Sequence, residues 1–176
     1  MWVFARKLPV QVAVMAPRGP YVVPEDGYTW QENRAGTGGL PVMDDFRASA
    51  NALIGFIDDW SRDVEVNTAQ IDLIGFSQGA AFCYALALLH PGRIRALAAL
   101  SGFLPAGAEQ LLAKGLLTGK PVFVTHGRQD DMIPVEQARK SVALLEGSGA
   151  RVTYCESDGG HKVSKECFSG LMELFG

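Results

Sequence analysis

Long apolar runs, an excess of one charge and closely spaced cysteines are all missing from this chain, and each absence removes a class of protein. The longest unbroken apolar stretch, residues 80–89, has ten residues, half of the ~20 that a membrane-spanning helix needs. The opening Met1-Trp2-Val3-Phe4-Ala5-Arg6-Lys7 lacks the order of a signal peptide. Neither a membrane partner nor an export route is expected, which leaves the cytoplasm. Lys and Arg number 16 against 19 Asp and Glu, a net charge of −3. With no basic run interleaved with aromatics, no nucleic-acid partner is expected. The three cysteines, Cys83, Cys155 and Cys167, are an odd set, far apart and without Cys-x-x-Cys spacing. That argues against a metal site and predicts three free thiols in a reducing cytosol. Gly36-Thr37-Gly38-Gly39 follows no strand and lacks the Gly-Lys-Ser/Thr ending of a phosphate loop, so it reads as a hinge. No metal and no cofactor is expected, and the remaining partner is a small molecule.

What is present is a chain of 176 residues with 48% apolar content, enough for one domain over residues 1–176 and too short for two of ordinary size. Its organising stretch is Ile71-Asp72-Leu73-Ile74, which flows into Gly75-Phe76-Ser77-Gln78-Gly79 and then into the helix-forming residues 80–89. That is the strand, turn and helix of a nucleophile elbow. Gly75 and Gly79 flank the serine because side chains there are expected to collide where strand and helix cross. At the same turn the backbone N–H of Gln78 opens the helix, where an unpaired donor and the positive end of the dipole favour a developing oxyanion.

Around this stretch the chain alternates. Residues 10–17 are an apolar, β-branched run stopped by Pro17, which predicts a buried strand. Residues 18–40, rich in Gly and Pro with Tyr21, Tyr28 and Trp30, show no period and read as a long loop, a length that is usually functional. Over 44–60 the apolar positions Phe46, Ala50, Leu53, Ile54 and Ile57 recur at three- and four-residue steps, an amphipathic helix. After the elbow helix come a strand at 94–100, a short helix at 109–117, a strand at 121–125, a helix at 135–145, a strand at 151–155 and a helix at 165–175. Strands alternating with helices imply an α/β fold with a mainly parallel sheet covered on both faces. Ligands then sit beyond the carboxyl ends of the strands.

Two of those strand ends supply what a serine nucleophile needs. One carries His126-Gly127-Arg128-Gln129-Asp130-Asp131-Met132-Ile133-Pro134, and the other Glu156-Ser157-Asp158-Gly159-Gly160-His161. The order Ser77, Asp130, His161 is that of α/β-hydrolases. Each has a plainer rival reading. Ser77 can be a helix N-cap. Asp131 stands beside Asp130 and reads as a solvated neighbour or as a cap for the helix near Pro134, and Asp158 is too close in sequence to His161 to be its partner. His90 ends a helix beside Pro91, His126 reads as a brace for the loop carrying Asp130, and Cys83 reads as core.

Gly-Phe-Ser-Gln-Gly, His-Gly-x-x-Asp-x-x-Ile-Pro, Ala-Pro-Arg-Gly-Pro and a glycine-preceded histidine near the C-terminus together resemble the phospholipase/carboxylesterase family, which includes small bacterial esterases and acyl-protein thioesterases. The resemblance runs from about Val10 to the C-terminus. It implies that Ser77 is the nucleophile, His161 the general base and then acid, and Asp130 the group that orients the imidazole. It implies hydrolysis of a short-chain carboxylic ester or thioester through an acyl-enzyme, with Trp30, Phe103, Met132 and Ile133 lining a shallow acyl pocket. Relatives of this kind often pair as homodimers. Dienelactone hydrolases are a neighbouring class, but they carry cysteine where Ser77 stands.

The chain departs from the family at its front. Relatives begin with a strand ending in Leu-His-Gly, whose following loop donates the other oxyanion N–H. Nothing before Val10 matches it, and residues 1–9 look like the end of the helix that should follow. The expected fold is therefore an α/β-hydrolase lacking its N-terminal strand, which in the family lies between the strand at 10–17 and the elbow strand. Three outcomes are compatible with this: closure of those two strands into a sheet of about five, covering of the free edges by a partner chain, or a true start upstream of Met1. Loss of one oxyanion donor typically lowers turnover by about 10²–10³, so a catalytically impaired fold kept for binding is the alternative to an esterase.

Overall fold

Four apolar runs separated by helix-forming stretches become four neighbouring strands, because each crossover is long enough to return the chain parallel to the strand before it. The computed structural model of the chain describes residues 12–23, 27–32 and 40–175. Its main sheet is β3 (Ile71–Phe76), β4 (Ile94–Leu100), β5 (Pro121–Gly127) and β6 (Arg151–Ser157), in that order and all parallel. Helices α1 (Arg47–Val64), α2 (Gln78–Leu89), α3 (Ala108–Leu112), α4 (Val135–Gly147) and α5 (Phe168–Phe175) complete the α/β architecture.

Alternation along β4 shows how the sheet is covered twice. Leu97 and Ala99 join the larger core with α1, α2 and α4, while Ala96, Ala98 and Leu100 join a smaller one with Leu171 and Phe175 of α5. A strand buried on both faces must be apolar throughout, which is why residues 94–100 carry a single charge. Helix α2 obeys the same rule: every residue from Ala80 to Leu88 is buried, so it lies inside the molecule rather than along its surface. In α1 only Ser49, Ala50, Ile54 and Ile57 are buried, one stripe at helical spacing, and Arg93 beyond α2 is tied to it through Asp58 at 2.8 Å.

The front of the chain differs from expectation in three respects. Residues 12–16 form no strand in the sheet, and Val12 and Val14 stand 45% and 40% exposed. Apolar alternation predicts a willingness to pair, but a strand exists only where a neighbour offers its hydrogen bonds. Among the described residues, β3 is an edge, the sheet has four strands instead of about five, and a cleft of about 760 Å³ separates β3 from residues 12–17. The expected loop at 18–40 instead contains a small antiparallel hairpin, β1 (Tyr21–Val23) with β2 (Gly27–Thr29); three-residue strands are too short to show a period. The hinge at 36–39 and residues 1–11 lie outside the described residues.

The cysteine reading also needs correction. Cys155 in β6 and Cys167 just before α5 form a disulfide, and only Cys83 is free and buried. Nothing in the spacing announces the pair: the loop after β6 folds back under the sheet and delivers Cys167, 1% exposed, into the smaller core. This pairing removes the thiol argument for a reducing compartment. Burial pushes the Cys83 thiol up to about 12, consistent with its place as a core residue.

Closing a loop of 12 residues in sequence is worth about 3 kcal/mol in the chain-entropy account. We expect the Cys155→Ser/Cys167→Ser variant to lose about that much in urea unfolding, and thiol titration of the unreduced, denatured wild type to find one thiol. Three thiols without reductant would remove the disulfide from this description.

Candidate active site

The turn between β3 and α2 is set by a steric contact. A Cβ built on Gly75 would lie 2.2 Å from the Gly79 carbonyl oxygen, so only glycine lets strand and helix cross this closely. Gly79 itself faces open space, contrary to the expectation that both glycines are demanded by collision. Between them Ser77 adopts φ 55° and ψ −121°, a conformation that costs a non-glycine residue roughly 1–3 kcal/mol. Ser77 N–H donates to Leu100 O at 2.9 Å and so fastens the turn to the end of β4. The serine occupies the N-cap position but makes no capping bond with its side chain. Its hydroxyl has no hydrogen bond among the described residues, and neither has the Gln78 N–H that follows it.

Asp130 and His161 meet across the loops that follow β5 and β6. His161 Nδ1 donates to Asp130 Oδ2 at 2.7 Å, and the imidazole packs on Phe76, next to Ser77, with ring centroids 4.9 Å apart. The other carboxylate oxygen, Oδ1, accepts from Met132 N–H at 3.0 Å and Ile133 N–H at 2.9 Å. His126, fully buried, donates from Nε2 to Ile133 O at 2.8 Å and stands 3.2 Å from Asp130 Oδ2. It braces the Asp130 loop, as its sequence position suggests. Burial pushes the Asp130 carboxyl upward, but the bonds from Ile133, His161 and Met132 outweigh it and leave the pKa below the usual carboxylate range. A carboxylate held ionised at Nδ1 fixes the imidazole tautomer that leaves Nε2 free to take a proton.

The two loops are held against each other by their backbones. Arg128 N–H donates to Ser157 O and Gln129 N–H to Gly159 O, and a Cβ on Gly127 would meet Gly159 O at 2.1 Å. Side chains add a charged clamp in which Arg128 reaches both Glu156 and Asp158, and Arg139 of α4 reaches Glu156 at 2.7 Å. Asp158 is thereby accounted for away from His161. Asp131 is exposed, and His90 bonds Asn51 on α1.

The four expected pocket residues lie apart. Trp30 lines the cleft beside β3 and stacks on Phe82 of α2 at 4.1 Å. Phe103 and Ile133 are in the core at 6% and 8% exposure, and Met132 projects outward at 70%. The residues that sequence reasoning left out are Thr29 and the side chain of Gln78, which bond each other at 2.7 Å. A polar residue on an otherwise apolar helix start is the only signal that points to them.

A parallel sheet with a strained serine at one strand end and a bonded acid–imidazole pair at two others defines the α/β-hydrolase class. Within it the chain belongs to the phospholipase/carboxylesterase family, which matches residues 15–173. It is 35% identical over 86 residues to a probable inactive carboxylesterase of Oryza sativa subsp. japonica, covering 47% of this chain and 34% of that protein. It is 33% identical over 106 residues to acyl-protein thioesterase 1 of Kluyveromyces lactis, covering 59% of this chain and 46% of that one. The matches thus span between a third and a half of those relatives' length. A carboxylesterase from Mesorhizobium loti superposes with a TM-score of 0.78 at 22% identity, over 97% of this chain and 78% of that one.

Gly127→Ala should cost about 1–3 kcal/mol by forcing the two loops apart, whereas Gly79→Ala, with open space around it, should be neutral or stabilising because alanine favours helix. Urea midpoints of the two variants decide between this and equal sensitivity. Acid should act through Glu156, whose carboxyl is held at about 2 by Arg139 and Tyr154. A folded pKa below the unfolded one, about 4.3, gives stability that is complete above that value and is lost as pH falls towards about 2. We expect Glu156→Gln to flatten the fall in unfolding midpoint over that window; an unchanged slope would contradict the assignment.

Proposed function

We propose that this chain is a serine hydrolase that cleaves short-chain carboxylic esters or thioesters through an acyl-enzyme on Ser77. The observation that carries this reading is the Asp130–His161 pair packed on Phe76, beside the strained turn that presents the serine. In the proposed reaction Ser77 Oγ attacks the substrate carbonyl carbon while its proton passes to His161 Nε2, and the carbonyl oxygen takes up the negative charge facing Gln78 N–H. The tetrahedral species collapses by breaking the bond to the alcohol oxygen or thiol sulfur, which receives the proton from His161. Water, deprotonated by the same imidazole, then attacks the acyl carbon, and Ser77 recovers its proton as the acid leaves. Asp130 stays ionised throughout and stabilises the imidazolium.

A hydrolase fold retained for binding without turnover is the second reading. Two observations favour it: the Ser77 hydroxyl is not bonded to His161, and one matched relative is named a probable inactive carboxylesterase. A fluorophosphonate probe separates the two, because it reports an activated serine without any choice of substrate. We expect intact-mass analysis to show one adduct on the wild type and none on Ser77→Ala, with turnover of a short nitrophenyl ester falling by about 10⁴-fold or more in the variant. A folded wild type that takes up no probe would favour the binding role.

A further inference from the structure

His161 sits on a loop whose two ends are covalently joined. The disulfide links Cys155 in β6 to Cys167 before α5, a separation of 12 residues, and His161 lies halfway between them. Residues 158–167 form neither helix nor strand, so the position of the imidazole depends on how this loop is tied. Its first half is tied through the backbone, where Gln129 N–H donates to Gly159 O at 3.0 Å. Its second half has much less. Among the described residues, the hydrogen bond that joins residues 162–167 to the rest of the body runs from Ser101 Oγ to Lys162 O, at 3.5 Å. What holds that half is Cys167, buried in the smaller core and bonded there to β6. Val163 and Phe76 pack against the same cluster, and the His161 ring rests on Phe76. The disulfide is thus part of the floor under the imidazole, while Leu171 and Phe175 attach α5 to the body whatever the state of the sulfurs.

We propose that Cys155 and Cys167 are positioning residues for His161, and that their disulfide makes the placement of the imidazole redox-sensitive. Oxidised, the loop holds His161 on Asp130 and Phe76; reduced, its second half comes loose and turnover falls. This rests on the ester-hydrolase reading, in which the imidazole must serve Ser77 as well as Asp130. A single side-chain hydrogen bond, to Asp130 Oδ2, leaves the ring free to pivot once the loop is loose. The reductant is a dithiol. Its thiolate attacks the sulfur of half-buried Cys155, the S–S bond breaks, and Cys167 leaves as a thiolate that takes up a proton. The second thiol then displaces Cys155 and closes the reagent's own disulfide. Two electrons pass from the dithiol to the protein, and its two protons end on the two cysteines. Cys83, buried in α2, is a thiol before and after.

The test follows kcat and KM for nitrophenyl acetate, the rate of fluorophosphonate labelling and the thiol content while the wild type is equilibrated with dithiothreitol. As the count rises from one thiol to three, we expect kcat and the labelling rate to fall about tenfold, the effect of a modest misplacement of a reacting group. KM should stay unchanged, far-UV circular dichroism should be retained, and reoxidation should restore the rate. Cys83→Ala should keep this response. Cys155→Ser/Cys167→Ser should show the low kcat with and without reductant, and the wild-type titration stands by itself if that variant does not fold. An unchanged kcat in a protein with three thiols, or a loss that tracks the unfolded fraction, overturns the redox link while leaving the hydrolase reading intact. So does a count of three thiols before any reductant is added. An oxidised wild type that neither labels with fluorophosphonate nor turns over the ester overturns both.

Discussion

The contact between Gly75 and the Gly79 carbonyl is the constraint on which the rest of the site depends. It lets α2 leave β3 so abruptly that the residue between them must take positive φ, and that residue is Ser77. Such a turn is unfavourable in isolation. Here it is over-determined by a helix buried along nearly its whole length and by a backbone bond from Ser77 to the end of β4. The half-buried serine holds its place in the turn because its own backbone has no freedom to withdraw it.

A second constraint is the saturation of Asp130. Its two oxygens accept from two backbone amides and His161 and are approached by buried His126. A carboxylate so placed cannot rotate, and the imidazole bonded to it inherits that orientation. Strands β5 and β6 each run two residues past 125 and 155, where the sequence predicts them to end. His126 and Gly127 pair with Glu156 and Ser157, so the loops carrying acid and base leave from a common, hydrogen-bonded platform.

The elbow, the four sheet strands and the pairing of Asp130 with His161 were legible because each depends on local signals: an apolar run, a turn motif, a polar cluster at a strand end. What was not legible depends on partners distant in sequence. The apolar run at 10–17 looks like a strand whether or not a neighbour exists, and in its described part no neighbour pairs with it. Cys155 and Cys167 become partners only when the loop after β6 folds under the sheet. Gly79 looked obligatory beside Ser77, yet only the direction of the Cα–Cβ vector, invisible in a sequence, shows that it meets nothing. Phe103 and Ile133 were expected in a pocket and lie in the core, since apolar residues near a strand end serve either role.

Because β3 is paired on one side only among the described residues, the strain at Ser77 is resisted from that side: by β4 through the sheet and by α2 through the core. On the opposite side lies the cleft, and among the described residues the hydrogen bonds from the segment beyond it run through Thr29 and Trp30. Ser77 therefore stands at the border between a rigid half, which fixes its geometry, and a segment whose hydrogen bonds to that half, among the described residues, are those of Thr29 and Trp30. A turn whose strain is carried by the rigid half can keep its shape while the other wall shifts. Those bonds set where the indole stands without bearing the strain at Ser77.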